Sequence, residues 1–123
     1  MRATQPPVGV PAKGGPFTAL FAFNDVTAIG AIQALTDASL DVPRDVSVVG
    51  FDDIPGAMYH RPGLTTVRQP LRVMGEMAAK TLLSQLERSD NGDGTSAPPP
   101  GPTSVLIEPD LVVRGTTAPA RRS

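Results

Sequence analysis

Three polar side chains stand where short apolar or β-branched runs end. Asn24 follows the run from Phe17 to Phe23, Asp52 follows Val46–Phe51 (VSVVGF), and Gln69 follows Leu64–Arg68 (LTTVR). An ionised Asp52 accepts two hydrogen bonds, as from a pair of vicinal hydroxyls. Asn24 and Gln69 each carry both a donor and an acceptor. That set suits a neutral polyhydroxylated ligand, a sugar or a ribosyl group, because each hydroxyl needs partners of both kinds. The same residues also have plainer readings. Asn24 and Asp25 precede a helix and fit its N-cap, Asp25 especially. Asp52 and Asp53 suit a turn, Met74 and Met77 suit packing, and His60 in a Pro-flanked loop suits solvent or an interface.

Other chemistries are excluded or poorly supplied. The chain has no Cys and a single His, His60, so thiolate sites, disulfides and a multi-histidine metal centre are absent. Neither G-x-S-x-G, a P-loop nor G-x-G-x-x-G occurs. Asp52 and Asp53 could hold Mg²⁺ only with further acids and a lysine beyond other strand ends, and Lys13 and Lys80 are not placed there. The expectation is a non-enzyme with no catalytic residue, no metal and no cofactor. Eleven Lys and Arg against twelve Asp and Glu leave a net charge of −1, against the basic surplus of a free-standing nucleic-acid binder. No apolar run approaches a membrane span. The opening MRATQPPVGVPAKGGP has positive charge but no apolar core, so it does not read as a signal peptide, and the cytoplasm is the expected location.

The elements that would position these residues follow from periodicity. Residues 1–16, rich in Pro and Gly, show no pattern and read as disordered. Phe17–Phe23 is nearly continuously apolar, as in a strand buried on both faces. Val26, Ile29, Ile32 and Leu35 recur at three-residue steps and predict an amphipathic helix over 25–38. Strands at 46–51 and 64–68 follow, separated by an irregular or briefly helical stretch over 54–63. Pro70 opens a helix to about Arg88, with Leu71, Met74, Ala78, Leu82 and Gln85/Leu86 as its buried stripe and Glu76–Lys80 as an outer-face pair. Residues 89–103 read as a Pro/Gly-rich linker, 105–107 and 111–113 as short strands, and 116–123 as a flexible polar tail. Strand–helix–strand at this spacing predicts an α/β fold with a parallel sheet flanked by helices. Ligands of such sheets bind beyond the carboxyl ends of the strands, where Asn24, Asp52 and Gln69 lie.

FAFNDVTAIGAIQAL, VPRDVSVVGFDDIP, RPGLTTVRQPLRVMGEMAAKTLL and LVVRGTTAP together resemble, in order and spacing, the C-terminal part of LacI/GalR-family transcriptional regulators. The resemblance implies a periplasmic-binding-protein-like fold, mainly its C-terminal lobe and incomplete, with residues 17–115 as a partial effector-binding domain. It implies that Asn24, Asp52 and Gln69 line a cleft for a small-molecule effector. It also implies a homodimer whose candidate contacts are Ile29, Ile32, Gln33, Tyr59 and His60, although the isoleucines equally suit the core. In such regulators DNA is bound through a helix-turn-helix domain, which this chain does not encode.

The chain departs from the family pattern at Ser39, where relatives carry Gly. Ser lacks glycine's left-handed ease, so a remodelled turn is expected after the first helix. The linker is also longer and richer in Pro than usual. The leading expectation is a fragment of a LacI-type regulator that senses a small molecule. The alternatives are a sugar-binding module of a transport system and a truncated inactive product.

Overall fold

The computed structural model describes residues 15–90 and 104–121. The proposed disorder of 1–14 and the linker over 91–103 lie outside the described residues. The elements in order are β1 (Ala19–Phe21), α1 (Asp25–Asp37), β2 (Ser47–Phe51), α2 (Pro55–Tyr59), β3 (Thr65–Arg68), α3 (Leu71–Asp90) and β4 (Asp110–Val112). They form two units, divided between Gln69 and Pro70 and again between Pro109 and Asp110.

The first unit is a four-stranded sheet in the order β1-β2-β3-β4. β1, β2 and β3 run parallel, with Phe21 level with Val49 and Phe51 level with Val67. β4 pairs antiparallel to β3, with Leu111 opposite Val67. The sheet is therefore mixed rather than wholly parallel. Val105 and Leu106, expected in a strand, are exposed and unladdered. Pro109 lacks an amide hydrogen and bounds the ladder at Asp110.

One face of the sheet packs on α1. Ala22, Val48 and Leu64 meet Ala28, Ile32 and Leu35, and Leu40, Val46 and Ala57 complete the buried cluster. The helix period put Ala28, Ile32 and Leu35 on this face. Val26, read as part of the same stripe, is 67% exposed. On the opposite face Phe21 is 66% exposed and Leu111 64%. The expectation that 17–23 is buried on both sides is corrected: Phe21 and Phe23 are largely exposed.

The turn after α1 is not remodelled. Leu40 N–H donates to Leu35 O and Ser39 N–H to Thr36 O, both at 2.9 Å, the bond pair of a Schellman cap. Ser39 takes φ 61°, the position glycine would fill, and Leu35 and Leu40 are both buried beneath it. The burial of two leucines holds serine in a backbone region it disfavours.

Residues 116–123 were expected to be a tail, yet Thr116 is fully buried. Its hydroxyl donates to Val48 O at 2.7 Å and accepts from Thr65 N–H at 2.8 Å. Its carbonyl accepts from Val48 N–H at 2.8 Å. The segment thus joins β2 to β3 near their amino ends. A hydroxyl that both donates and accepts can occupy a seam of backbone groups that no apolar pattern would announce.

The loop between β2 and α2 is held by charge. Asp53 accepts from Arg68 Nε at 2.6 Å and from Arg114 Nη2 at 2.7 Å. Arg114 also donates to Leu64 O at 2.9 Å and is largely buried, whereas Arg68 is half exposed and more screened. Burial raises the Asp53 carboxyl, but the hydrogen bonds and charges of Arg68 and Arg114 outweigh it and hold it below its ordinary 3.8.

In the second unit, Met74 N–H donates to Pro70 O at 3.0 Å, so Pro70 stands just before the helix rather than inside it. Leu71, Leu82 and Leu86 of the expected buried stripe are each more than half exposed. Met74, Met77, Ala78 and Leu82 line an open groove with Val105 and Ile107. Glu76 pairs with Arg72 at 3.0 Å rather than with Lys80.

Two outcomes follow from these contacts. Ser39→Gly is expected to stabilise the fold by about 1 kcal/mol by relieving the left-handed serine, as read by urea denaturation. Asp53, depressed in the folded state, contributes stability that is complete above 3.8 and is lost as pH falls through its lower folded value. The stability gap between wild type and Asp53→Asn should therefore be widest near neutral pH and close in acid. A gap independent of pH would contradict the ion pairs.

Candidate functional site

The candidate site is built around the carboxyl ends of the parallel strands, where β2 and β3 hand the chain directly to Asp52 and Gln69. After β2 the backbone turns sharply. Asp52 has φ 109° and Asp53 φ 57°, a region that side-chain-bearing residues seldom enter and that Asp tolerates better than most. Asp52 N–H donates to Val67 O at 2.9 Å, which ties the turn to β3. This rotation separates the two acids. Asp53 goes to the arginines, and Asp52 goes to Gln69.

Gln69 Nε2 donates to Asp52 Oδ1 at 2.7 Å. Two of the three residues singled out in the sequence are thus in direct contact, and both are half-buried. The bond occupies one carboxylate oxygen and leaves Asp52 Oδ2 and Gln69 Oε1 as acceptors. Asn24 stands three residues beyond β1, the parallel neighbour of β2.

Asn24 is also the N-cap of α1. Its Oδ1 accepts from Thr27 N–H at 2.8 Å, while its backbone is extended. The cap and ligand readings are therefore compatible, because capping uses the acceptor and leaves the Nδ2 donors. Asp25, read as the better cap, is not one. It is fully buried, accepting from Ile54 N–H at 2.8 Å and from Thr66 Oγ1 at 2.5 Å. Sequence reasoning missed this role, and its available signal was Gly50. A methyl group at Gly50 would overlap Asp25 Oδ1, so the glycine marks a close approach to the carboxylate.

The residues considered for a dimer face are distributed differently. Ile32 is 5% exposed and belongs to the core, which corrects its assignment to an interface. Ile29 is half-buried against the same cluster. Gln33 is exposed, and its Nε2 donates to Asp37 Oδ1 at 2.8 Å. Tyr59 is 70% exposed. His60 is half-buried, with Nδ1 at 2.9 Å from Pro62 O. Among the described residues no three of His, Asp and Glu gather as metal ligands, and no helix is long and apolar enough to cross a membrane.

Comparison with known proteins identifies the family. A family model described as a periplasmic binding protein-like domain matches residues 3–117. The HTH-type transcriptional regulator MalR of Streptomyces coelicolor is 47% identical over 103 residues, covering 84% of this chain and 27% of that protein. The present chain thus spans little more than a quarter of that relative. Among solved structures, a LacI family transcriptional regulator from Enterococcus faecalis with bound ribose superposes with a TM-score of 0.71 at 29% identity, over 86% of this chain and 36% of that one. A LacI family regulator from Lactobacillus casei with bound sucrose gives a TM-score of 0.62 at 34% identity, over 81% and 33%. The chain belongs to the periplasmic binding protein-like domain family, in the form found in LacI-family transcriptional regulators.

Proposed function

We propose that the chain is the C-terminal part of the effector-sensing domain of a LacI-type transcriptional regulator, and that it holds a sugar or a related polyhydroxylated molecule on Asp52, Gln69 and Asn24. The observation that carries this reading is the Gln69–Asp52 hydrogen bond on a backbone turn at φ 109°, at the carboxyl end of parallel strands. A strained acid at a strand end is a conformation that functional sites retain. The bond also orients Asp52, so that Oδ2 accepts from one hydroxyl of a ligand. Gln69 Oε1 accepts from another hydroxyl, and Asn24 Nδ2 donates to a hydroxyl oxygen. Relatives solved with ribose and with sucrose support this class of ligand.

The same reading assigns the chain a share in a homodimer that works in the cytoplasm. Tyr59 and Gln33 are exposed and available to a second copy, with Met58, 52% exposed, beside Tyr59. Ile29 and His60 lie at the edge of that surface, half-buried. Recognition of DNA would belong to another part of such a regulator. The net charge of −1 agrees with a sensing rather than a DNA-contacting role.

Ribose, glucose and sucrose at millimolar concentration form the test panel, read by the melting temperature of the chain. A bound sugar present at about a hundred times its Kd should stabilise by roughly 2.7 kcal/mol. Asp52→Ala should weaken that binding at least about tenfold, the cost of one charge-assisted hydrogen bond. No shift with any sugar, or a shift that survives Asp52→Ala, would sink the site assignment. Tyr59→Glu should lower the dimer fraction in sedimentation and leave the melting of the monomer almost unchanged, since the ring is largely outside the core.

A further inference from the structure

Asn24, Asp52 and Gln69 come from three different segments, and one buried carboxylate is attached to all three. Asp25 follows Asn24 directly as the first residue of α1. Its Oδ2 accepts from Ile54 N–H at 2.8 Å, two residues beyond Asp52. Its Oδ1 accepts from Thr66 Oγ1 at 2.5 Å, three residues before Gln69. Gly50, two residues before Asp52, lies so close to Oδ1 that it has no room for a side chain.

Neither capping nor packing explains this residue. Asn24 already fills the cap, and a buried carboxylate carries a desolvation cost that a hydrophobic side chain of similar size does not. What a carboxylate does that a hydrocarbon cannot is fix the direction of two donors on separate segments. That matters for the stretch between Gly50 and Ile54, because Asp52 and Asp53 both sit at positive φ and need holding at each end. Asp52 N–H is anchored on Val67 O, and Ile54 N–H is anchored on Asp25. Being fully buried, Asp25 does not reach a ligand itself.

We propose that Asp25 is the positioning residue of the effector site: its carboxylate sets the relative placement of Asn24, Asp52 and Gln69, and ligand affinity depends on it without contact. The affinity half rests on the reading of those three residues as the effector site, while the geometric half stands without it.

Two substitutions separate the carboxylate's role from simple bulk. Asp25→Asn keeps an acceptor for Ile54 N–H and can donate to Thr66 Oγ1, since a hydroxyl takes either part. Asp25→Ala keeps neither. The full chain, labelled with ¹⁵N, would be followed at the Gln69 side-chain amide and at the Ile54 backbone amide, with Val48 and Leu35 reporting on the core. It would then be titrated with ribose, glucose and sucrose. In Asp25→Ala the Gln69 resonances should move to free-amide positions and Ile54 protection should fall at least about tenfold, while Val48 and Leu35 keep theirs. Asp25→Asn should restore both local signals. A sugar that binds the wild type should weaken about tenfold in Asp25→Ala and less than about threefold in Asp25→Asn.

An unmoved Gln69 amide in Asp25→Ala overturns the proposal. So does a loss of protection shared equally by Val48 and Leu35, which would make Asp25 a general core residue. If the wild type binds none of the sugars, the effector reading fails, and the amide signals still decide the placement by Asp25. Should Asp25→Ala not fold, Thr66→Val removes only the hydroxyl. The same local shift is then expected, and an unchanged Gln69 resonance overturns the proposal equally.

Discussion

The carboxylate of Asp25 has no exposed surface, yet it lies where α1, the β2–α2 loop and β3 converge. A charge in that position is tolerated because each oxygen receives a donor and because the amino end of a helix favours negative charge. Among the described residues no buried side-chain nitrogen or oxygen is left without a partner. The arrangement makes a demand on its neighbours. Residue 50 must be glycine, residue 66 must carry a hydroxyl, and the chain must pass Ile54 with its amide turned inward. The left-handed pair Asp52–Asp53 is the path the backbone takes between those fixed points.

Around that centre, polar residues do much of the joining that a larger domain would leave to apolar packing. Thr116 bonds to the backbone of both β2 and β3, and Asp53 is clamped by Arg68 and Arg114. The apolar cluster itself is modest and lies on one face of the sheet only, between the strands and α1. Short strands of three to five residues offer few ladder bonds, so side-chain bonds to the backbone at their ends matter more here than in a long sheet. The same clamp prevents the two adjacent acids from acting as a pair: Asp53 is committed to structure, and Asp52 faces Gln69.

Much apolar surface remains open. Phe21, Phe23, Leu111 and Val113 are each more than 60% exposed, and Leu71, Leu82, Leu83 and Leu86 of α3 more than half. Patches of that kind mark surfaces that larger proteins cover. The relatives that match this chain are much longer, with the match occupying 27% of MalR and 36% of the ribose-bound regulator.

The amino-acid sequence by itself determined which segments become α1, β2, β3 and α3, because those depend on local periodicity, caps and proline positions. It also identified the three strand-end polar residues, since a parallel α/β arrangement exposes its strand ends whatever the details. Tertiary structure decided the rest. It assigned Asn24 rather than Asp25 to the cap, sent Asp52 and Asp53 in opposite directions, buried Thr116 in a seam instead of a tail, and kept serine in a glycine position at residue 39. It also moved Ile32 from a candidate interface to the core. Three of these turn on partners far away in the chain: Thr66 and Ile54 for Asp25, Arg114 for Asp53, Val48 for Thr116. Hydrogen-bond and ion-pair partners carry no sequence period, so such pairings become visible only when the folded chain brings the groups within three ångströms or so of each other.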